Sequence, residues 1–253
     1  MTLGMVDGVR FACVGLPAAP RQALAILGES GSRDARERLE DALLRSPTAV
    51  AALLDFANRV AGGGVGTVLQ AIGQLGVAHA ADVGIAALLR PTRAPLGRAS
   101  EVRGTWDHAV ATGAWSRIIA AWRGRALEGV FLGGLLHRVG RLVLLHHPAG
   151  QSDEVAVARH ERAVGIATGR AWGLPAPVQA CIAHHDDPER APGFKQQVAT
   201  VRLGALFAAC QLSGGDVTAV RDPVLHRLGL DPADLVDLAT ARHEVRCFVA
   251  ALS

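Results

Sequence analysis

Histidine is the residue type in this chain that could carry chemistry. The chain has ten histidines, and four of them occupy suggestive places: His108 follows Trp-Asp, His137 lies in the segment Gly-Leu-Leu-His-Arg-Val-Gly-Arg, and His184 and His185 are adjacent. Imidazole side chains bind metals and exchange protons near neutral pH. One histidine on an apolar helix is usually a core residue. Several, each near a helix break or a glycine-rich step, favour a shared pocket.

The adjacent pair, His184 and His185, has two interpretations. Neighbouring residues on a helix point about 100° apart, so we expect both to bind one ion only if the helix ends between them. The alternative is a structural role, because a histidine at a helix C-terminus lies at the negative end of the helix dipole.

Other chemical motifs are weak or absent in the sequence. The glycine run Gly62–Gly66 could suggest a phosphate-binding loop, but no Lys-Ser or Lys-Thr follows it and a helical pattern precedes it, which favours an interhelical turn. There is no GxSxG or HExxH motif, and the four cysteines are far apart and form no CxxC.

Composition limits the class of protein. Half of the 253 residues are apolar and 19% are charged, the balance of a globular protein. The net charge is only +3, and the arginines are interleaved with acids, as in residues 33–38, which favours a solvated surface over a nucleic-acid patch. Few, widely separated cysteines fit a reducing compartment, and no leader or membrane-length apolar run is evident. We therefore expect a soluble cytoplasmic protein that does not associate with a membrane.

Helix signals recur along the chain, and convincing period-two strands are absent, so an all-α fold is predicted. Ser46-Pro47 and Asp231-Pro232 combine an N-cap residue with a first-turn proline, and Thr67 can cap a further helix. A long helix is expected from near Glu101. Single helices are expected over residues 128–147, 175–185, 197–212 and 232–252.

With the helices in place, the order of several motifs resembles that of the HDOD family, which is related to the HD phosphohydrolases. The motifs are Leu16-Pro17, Ser46-Pro47 through Asn58, Val68–Gly76, Trp106-Asp-His108, Phe131–His137, Gly165 with Trp172–Pro175, and Ala183-His-His185. The resemblance implies a multi-helix HD-like bundle over residues 16–212. An N-terminal helical part (16–95) would pack on an HD-like part (98–212), and residues 213–253 would form a helical extension.

HD enzymes use histidines and aspartates to hold divalent metals that activate water. By resemblance, the matching positions are His108, His137 with the residue that follows it, His184 or His185, and a late aspartate. Arg138 stands where those enzymes require aspartate, and no aspartate occurs between Phe194 and Gly215. Near Gly165, Glu161 is a candidate for the family's usual histidine site. We therefore expect no metal, no other cofactor and no catalysis.

The resemblance implies a regulatory output module in bacterial signal transduction. Its vestigial pocket of His108, His137, Arg138, His184 and His185 would bind a signalling protein or a phosphorylated effector. The Arg138 guanidinium matches a phosphate bidentately, although it could instead pair with Asp107, Asp186 or Asp187. Two alternatives are a metal-dependent phosphohydrolase with an altered histidine-rich ligand set and a nucleic-acid-associated regulator. The sequence carries no signal for an oligomeric state.

Overall fold

The protein is described by a computed structural model, which covers residues 2–6, 9–13, 33–91, 97–125, 127–146 and 154–252. The Leu16-Pro17 motif and most of the link between residues 91 and 97 lie outside these ranges. The chain divides into two compact units. Unit 1 contains residues 1–15 and 92–245, and unit 2 contains residues 16–91 and 246–253.

Helices dominate the fold, as predicted from the sequence. In unit 2 the helices are α1 (Arg33–Leu44), α2 (Pro47–Ala61), α3 (Val68–Leu75) and α4 (Val77–Leu89). In unit 1 they are α5 (Ala99–Trp122), α6 (Val130–Leu136), α7 (Val139–His146), α8 (Glu154–Ala171), α9 (Ala176–His184), α10 (Lys195–Leu212), α11 (Val224–Leu228) and α12 (Pro232–Ala239), with short 3₁₀ helices at Pro188–Arg190 and Val217–Ala219. Helix α13 (Arg242–Leu252) begins in unit 1 and ends in unit 2. None of the described helices is both long enough and apolar enough to cross a membrane.

A short β-hairpin precedes the helices and was missed in the sequence. Strands β1 (Thr2–Val6) and β2 (Val9–Cys13) pair antiparallel, with Val6 opposite Val9. Asp-Gly between two short apolar runs is a strong hairpin signal. Because each strand has only five residues, the alternation of apolar and polar residues was too short to be convincing.

The predicted caps of unit 2 are confirmed. The Ser46 hydroxyl accepts a hydrogen bond from the Ala49 amide, and Thr67 forms a capping box with Gln70. Asn58 holds the glycine turn after α2: its amide donates to the carbonyl oxygens of Leu54 and Val65 at 2.8 Å each, and its carbonyl oxygen accepts from the Val65 amide at 2.9 Å. The glycine run is therefore an interhelical turn, as expected.

The end of the chain contributes to the core of unit 2. The fully buried Phe248 ring of α13 packs edge-on against Phe56 with centroids 4.9 Å apart, and it stacks on His79 at 5.8 Å. Burial of aromatic rings is a large stabilising contribution in a small helical unit. The C-terminal helix is thus a packed element of this unit.

Helix α5 is the centre of unit 1 and contains three of the four tryptophans. The buried Trp115 ring packs against Phe207 of α10 with centroids 5.1 Å apart, and its indole N–H donates to the Gln211 side-chain oxygen at 3.0 Å. A single long helix here agrees with the sequence prediction.

Two predicted helices are each divided in the structure. The segment expected to be continuous over residues 128–147 breaks between α6 and α7 at His137-Arg138, and that expected over residues 232–252 breaks between α12 and α13. At the first break, the His137 ring hydrogen-bonds to the Gly134 carbonyl oxygen at 2.6 Å. This side-chain hydrogen bond coincides with the interruption of the helix.

Candidate functional site

Three histidine rings meet inside unit 1. His108 comes from α5, His137 from the break between α6 and α7, and His185 from the residue after α9. The ring centroids of His108 and His137 lie 5.4 Å apart, and those of His137 and His185 lie 4.8 Å apart in an edge-on arrangement. His137 is buried, with 3% of its surface exposed. We call these three residues the histidine cluster.

Backbone carbonyls fix two of the rings. The His108 Nε2–H donates to the Ala205 carbonyl oxygen of α10 at 3.3 Å, and the His137 Nδ1–H donates to the Gly134 carbonyl oxygen at 2.6 Å. Because a carbonyl oxygen only accepts, these contacts assign the proton of each neutral ring. The buried Nδ1 of His108 then carries a lone pair, and it has no hydrogen-bond partner.

The histidine cluster is held neutral by its surroundings. Burial, together with the smaller effect of the nearby Arg138 charge, lowers the pKa of His108 to about 4. Burial also lowers the pKa of His137 well below its usual range, followed by the effects of His185 and His108. The pKa of His185 is lowered by burial as well, against the opposing effect of Asp186. At neutral pH the cluster therefore adds no positive charge.

Arg138 forms an ion pair beside the cluster. Its terminal nitrogen donates to both carboxylate oxygens of Glu161 on α8, at 3.2 and 3.0 Å. Arg141 lies 3.6 Å from the same carboxylate and pairs more closely with Glu154, at 2.7 Å. The acid that neutralises Arg138 is thus Glu161, rather than one of the aspartates considered from the sequence.

A close helix crossing sets the distance between Arg138 and Glu161. A Cβ atom on Gly140 of α7 would lie 1.8 Å from the Glu161 carbonyl oxygen and 2.5 Å from the Gly165 amide nitrogen of α8. Only glycine permits this approach, since real Cβ contacts below 3.0 Å do not occur. The backbone of α7 therefore lies against that of α8, directly after His137-Arg138.

His184 lies apart from the histidine cluster. It faces a cavity formed by α8, α9 and the segment before α10, whereas His185 turns toward His137. The pKa of His184 is lowered by burial and by Arg162, and raised by Asp187. The angle of about 100° between successive helical residues explains why the two histidines point into different surroundings.

The comparisons with known proteins identify the family. The HDOD domain profile matches residues 16–163, which is more than half of the chain. The chain belongs to the HDOD family. No curated protein matches it.

Solved structures share the HDOD fold over nearly the whole chain. An HDOD domain protein of unknown function from Geobacter sulfurreducens is 21% identical, with a TM-score of 0.72 and coverage of 95% of this chain and 94% of that one. A "Putative phosphohydrolase" from Shewanella amazonensis is 17% identical, with a TM-score of 0.73 and 94% of both chains covered. A "Putative signal transduction protein" from Marinobacter aquaeolei is 20% identical at a TM-score of 0.68, covering 94% of this chain and 59% of that one. At such identities these likenesses show the fold.

The HDOD fold thus brings together four of the five site residues predicted from the sequence: His108, His137, Arg138 and His185. Sequence reasoning missed the carbonyl groups of Gly134 and Ala205 that orient two of the rings. No sequence signal could have found them, because every residue carries a backbone carbonyl and only tertiary packing selects these two.

Proposed function

We propose that this HDOD chain is a non-catalytic regulatory module, that it acts by binding a signalling partner, and that its histidine cluster holds no divalent metal. The observation that carries the proposal is the ion pair between Arg138 and Glu161 beside the cluster. It places the Arg138 guanidinium next to the rings and engages both oxygens of the Glu161 carboxylate.

The charge of Arg138 opposes a metal at the cluster. Its guanidinium lowers the pKa of His108, His137 and His185, so all three rings experience its positive potential. A potential that disfavours a proton disfavours a divalent ion twice as strongly. With an effective dielectric of ~20, an unpaired charge ~4 Å away would repel the ion by several kcal/mol, and the Glu161 carboxylate reduces that repulsion.

The carboxylates near the cluster are exposed or already engaged by arginines. Asp186, beside His185, is largely exposed and lies 3.9 Å from Arg202. Both oxygens of Glu161 accept hydrogen bonds from Arg138. The resemblance places the late aspartate around Gly204-Ala205. A Cβ on Gly204 would lie 2.4 Å from the Ser116 hydroxyl oxygen and 3.0 Å from the Thr112 carbonyl oxygen, so no side chain fits at Gly204. Within the described residues, no three His, Cys, Asp or Glu side chains form a group that could hold a metal. Ions such as Mg²⁺ require oxygen ligands, so this residue set does not fit them.

Partner binding is favoured over capture of a phosphorylated effector at the cluster. The Arg138 fork would have to leave Glu161 before it could bind a phosphate, and separating a half-buried ion pair is costly. The Marinobacter relative is named as a signal transduction protein, which motivates a signalling role for the present chain.

Metal analysis combined with a hydrolysis assay tests the proposal. The full chain, purified without chelator, is expected to contain far less than one metal per protein. With Mn²⁺ or Mg²⁺ it should hydrolyse bis-p-nitrophenyl phosphate no faster than His137→Ala does. His184→Ala, which alters a histidine outside the cluster, is the matched control. A stoichiometric metal together with turnover that His137→Ala abolishes and His184→Ala retains would establish the phosphohydrolase instead.

A further inference from the structure

A cavity separate from the histidine cluster lies in unit 1. Its volume is about 240 Å³, and it is bounded by α8, α9 and the segment that leads into α10. Apolar side chains such as Ile166 and Ala180 form most of its wall, and Arg170, Gln179, His184 and Phe194 also line it. Small-molecule sites typically combine apolar walls with a few polar groups in this way.

Phe194 forms one wall of the cavity in a strained conformation. Its φ angle of 55° is in the left-handed region, and within the described ranges it is the one residue other than glycine with a positive φ. Bulky residues avoid this region, and such outliers concentrate at ligand sites, where the strain holds a side chain in place. Phe194 is 44% exposed, so burial in a core does not account for its position. A planar ligand would cover it.

The polar groups of the cavity select an anion. Among the described residues, none forms an ion pair with Arg170, so its guanidinium is available to a ligand. His184 is neutral because its pKa is lowered, and its shielded Nδ1 has no hydrogen-bond partner. A buried N–H without a partner costs more free energy than a buried lone pair without one. The Nδ1 atom of His184 therefore carries the lone pair, and its Nε2–H is a hydrogen-bond donor. Gln179 is held in place by donating to the Leu174 carbonyl oxygen at 2.7 Å.

We propose that this cavity binds a small aromatic carboxylate, stacked on Phe194 with its carboxylate bound by Arg170. The volume is below the range typical of drug-sized ligands, which limits the ligand to one ring with short substituents. A carboxylate matches the planar guanidinium fork, and a flat ring matches the exposed face of Phe194.

Titration of the full chain with sodium benzoate tests the proposal, with isothermal calorimetry and saturation-transfer NMR as readouts. We expect a dissociation constant on the order of 1 mM. Benzamide keeps the ring without the charge, and cyclohexanecarboxylate keeps the charge without the flat ring. Each should bind about tenfold more weakly than benzoate, since each lacks one of the two recognition elements. Equal binding of all three compounds would overturn the proposal, as would no binding of benzoate at ~10 mM.

Matched variants locate the site. Arg170→Gln should weaken benzoate binding about tenfold, whereas Arg159→Gln, the same change on the exposed face of α8, should leave it unchanged. Phe194→Gly should weaken binding to a similar extent without lowering the melting temperature, because glycine tolerates the positive φ. Retention of wild-type affinity by both Arg170→Gln and Phe194→Gly would overturn the assignment to this cavity.

Discussion

The crossing of α7 and α8 at Gly140 permits a quantitative test of how the site is positioned. In Gly140→Ala, the new Cβ would lie 1.8 Å from the Glu161 carbonyl oxygen, whereas ordinary contact begins at 3.4 Å. The two backbones must therefore separate by about 1.6 Å, the difference between these distances. Both obstructing groups belong to the backbone, so no rotamer change can relieve the clash.

The separation would disturb the small core beneath the crossing, where Leu144 packs with Val157 and Val164. Overpacking costs about 1–3 kcal/mol, and a backbone clash belongs at the upper end of that range. We therefore expect Gly140→Ala to destabilise unit 1 by about 3 kcal/mol. Because Arg138 and Glu161 flank the crossing, their ion pair should weaken as well.

Urea unfolding followed by tryptophan fluorescence measures this effect in unit 1 alone, because all four tryptophans lie there. The matched control is Gly104→Ala in α5, where a Cβ meets no atom within 4 Å. At this exposed helical position alanine should stabilise by about 0.5–1 kcal/mol. A Gly140→Ala protein as stable as the wild type would refute the proposed crossing.

Three further predictions concern other contacts. Because burial lowers the pKa of His108 to about 4, this side chain takes up a proton more readily in the unfolded chain than in the folded one between pH 6.5 and 4. The free energy of unfolding should therefore fall by about 3 kcal/mol as the pH is lowered from 6.5 to 4. His108→Gln should flatten this pH dependence in urea unfolding. Asn58→Ala should destabilise unit 2 by about 2 kcal/mol in calorimetry, because it removes the amide contacts that hold the glycine turn. The control Asp55→Ala removes an exposed ion pair and should cost less than about 1 kcal/mol. Equal losses of stability in the two variants would refute the role of the Asn58 contacts. A double-mutant cycle of Arg138→Gln and Glu161→Gln should give a coupling energy of about 1 kcal/mol that decreases with salt, and additive effects would contradict a direct pair.

Helix boundaries were predictable where the signal is local. Ser46, Thr67 and Asp231 accept the capping hydrogen bonds that their residue types and positions suggested. The break at His137 was not predictable, since it accompanies a hydrogen bond to Gly134 within an otherwise apolar helical pattern. The hairpin was missed because its strands are short.

The sequence by itself determined the helical class, the HDOD family and the residues from which the histidine cluster is drawn. These three conclusions could be drawn from the order of the motifs, because helix caps, glycine turns and the His137-Arg138 doublet are each formed by residues that are adjacent in the sequence. Tertiary structure alone decided that His185 rather than His184 joins His108 and His137, and that Glu161 neutralises Arg138. The choice of His185 depends on how α9 is rotated about its axis, and the pairing of Glu161 with Arg138 depends on the close crossing of α7 and α8. Packing between segments that are distant in the sequence fixes that rotation and that crossing.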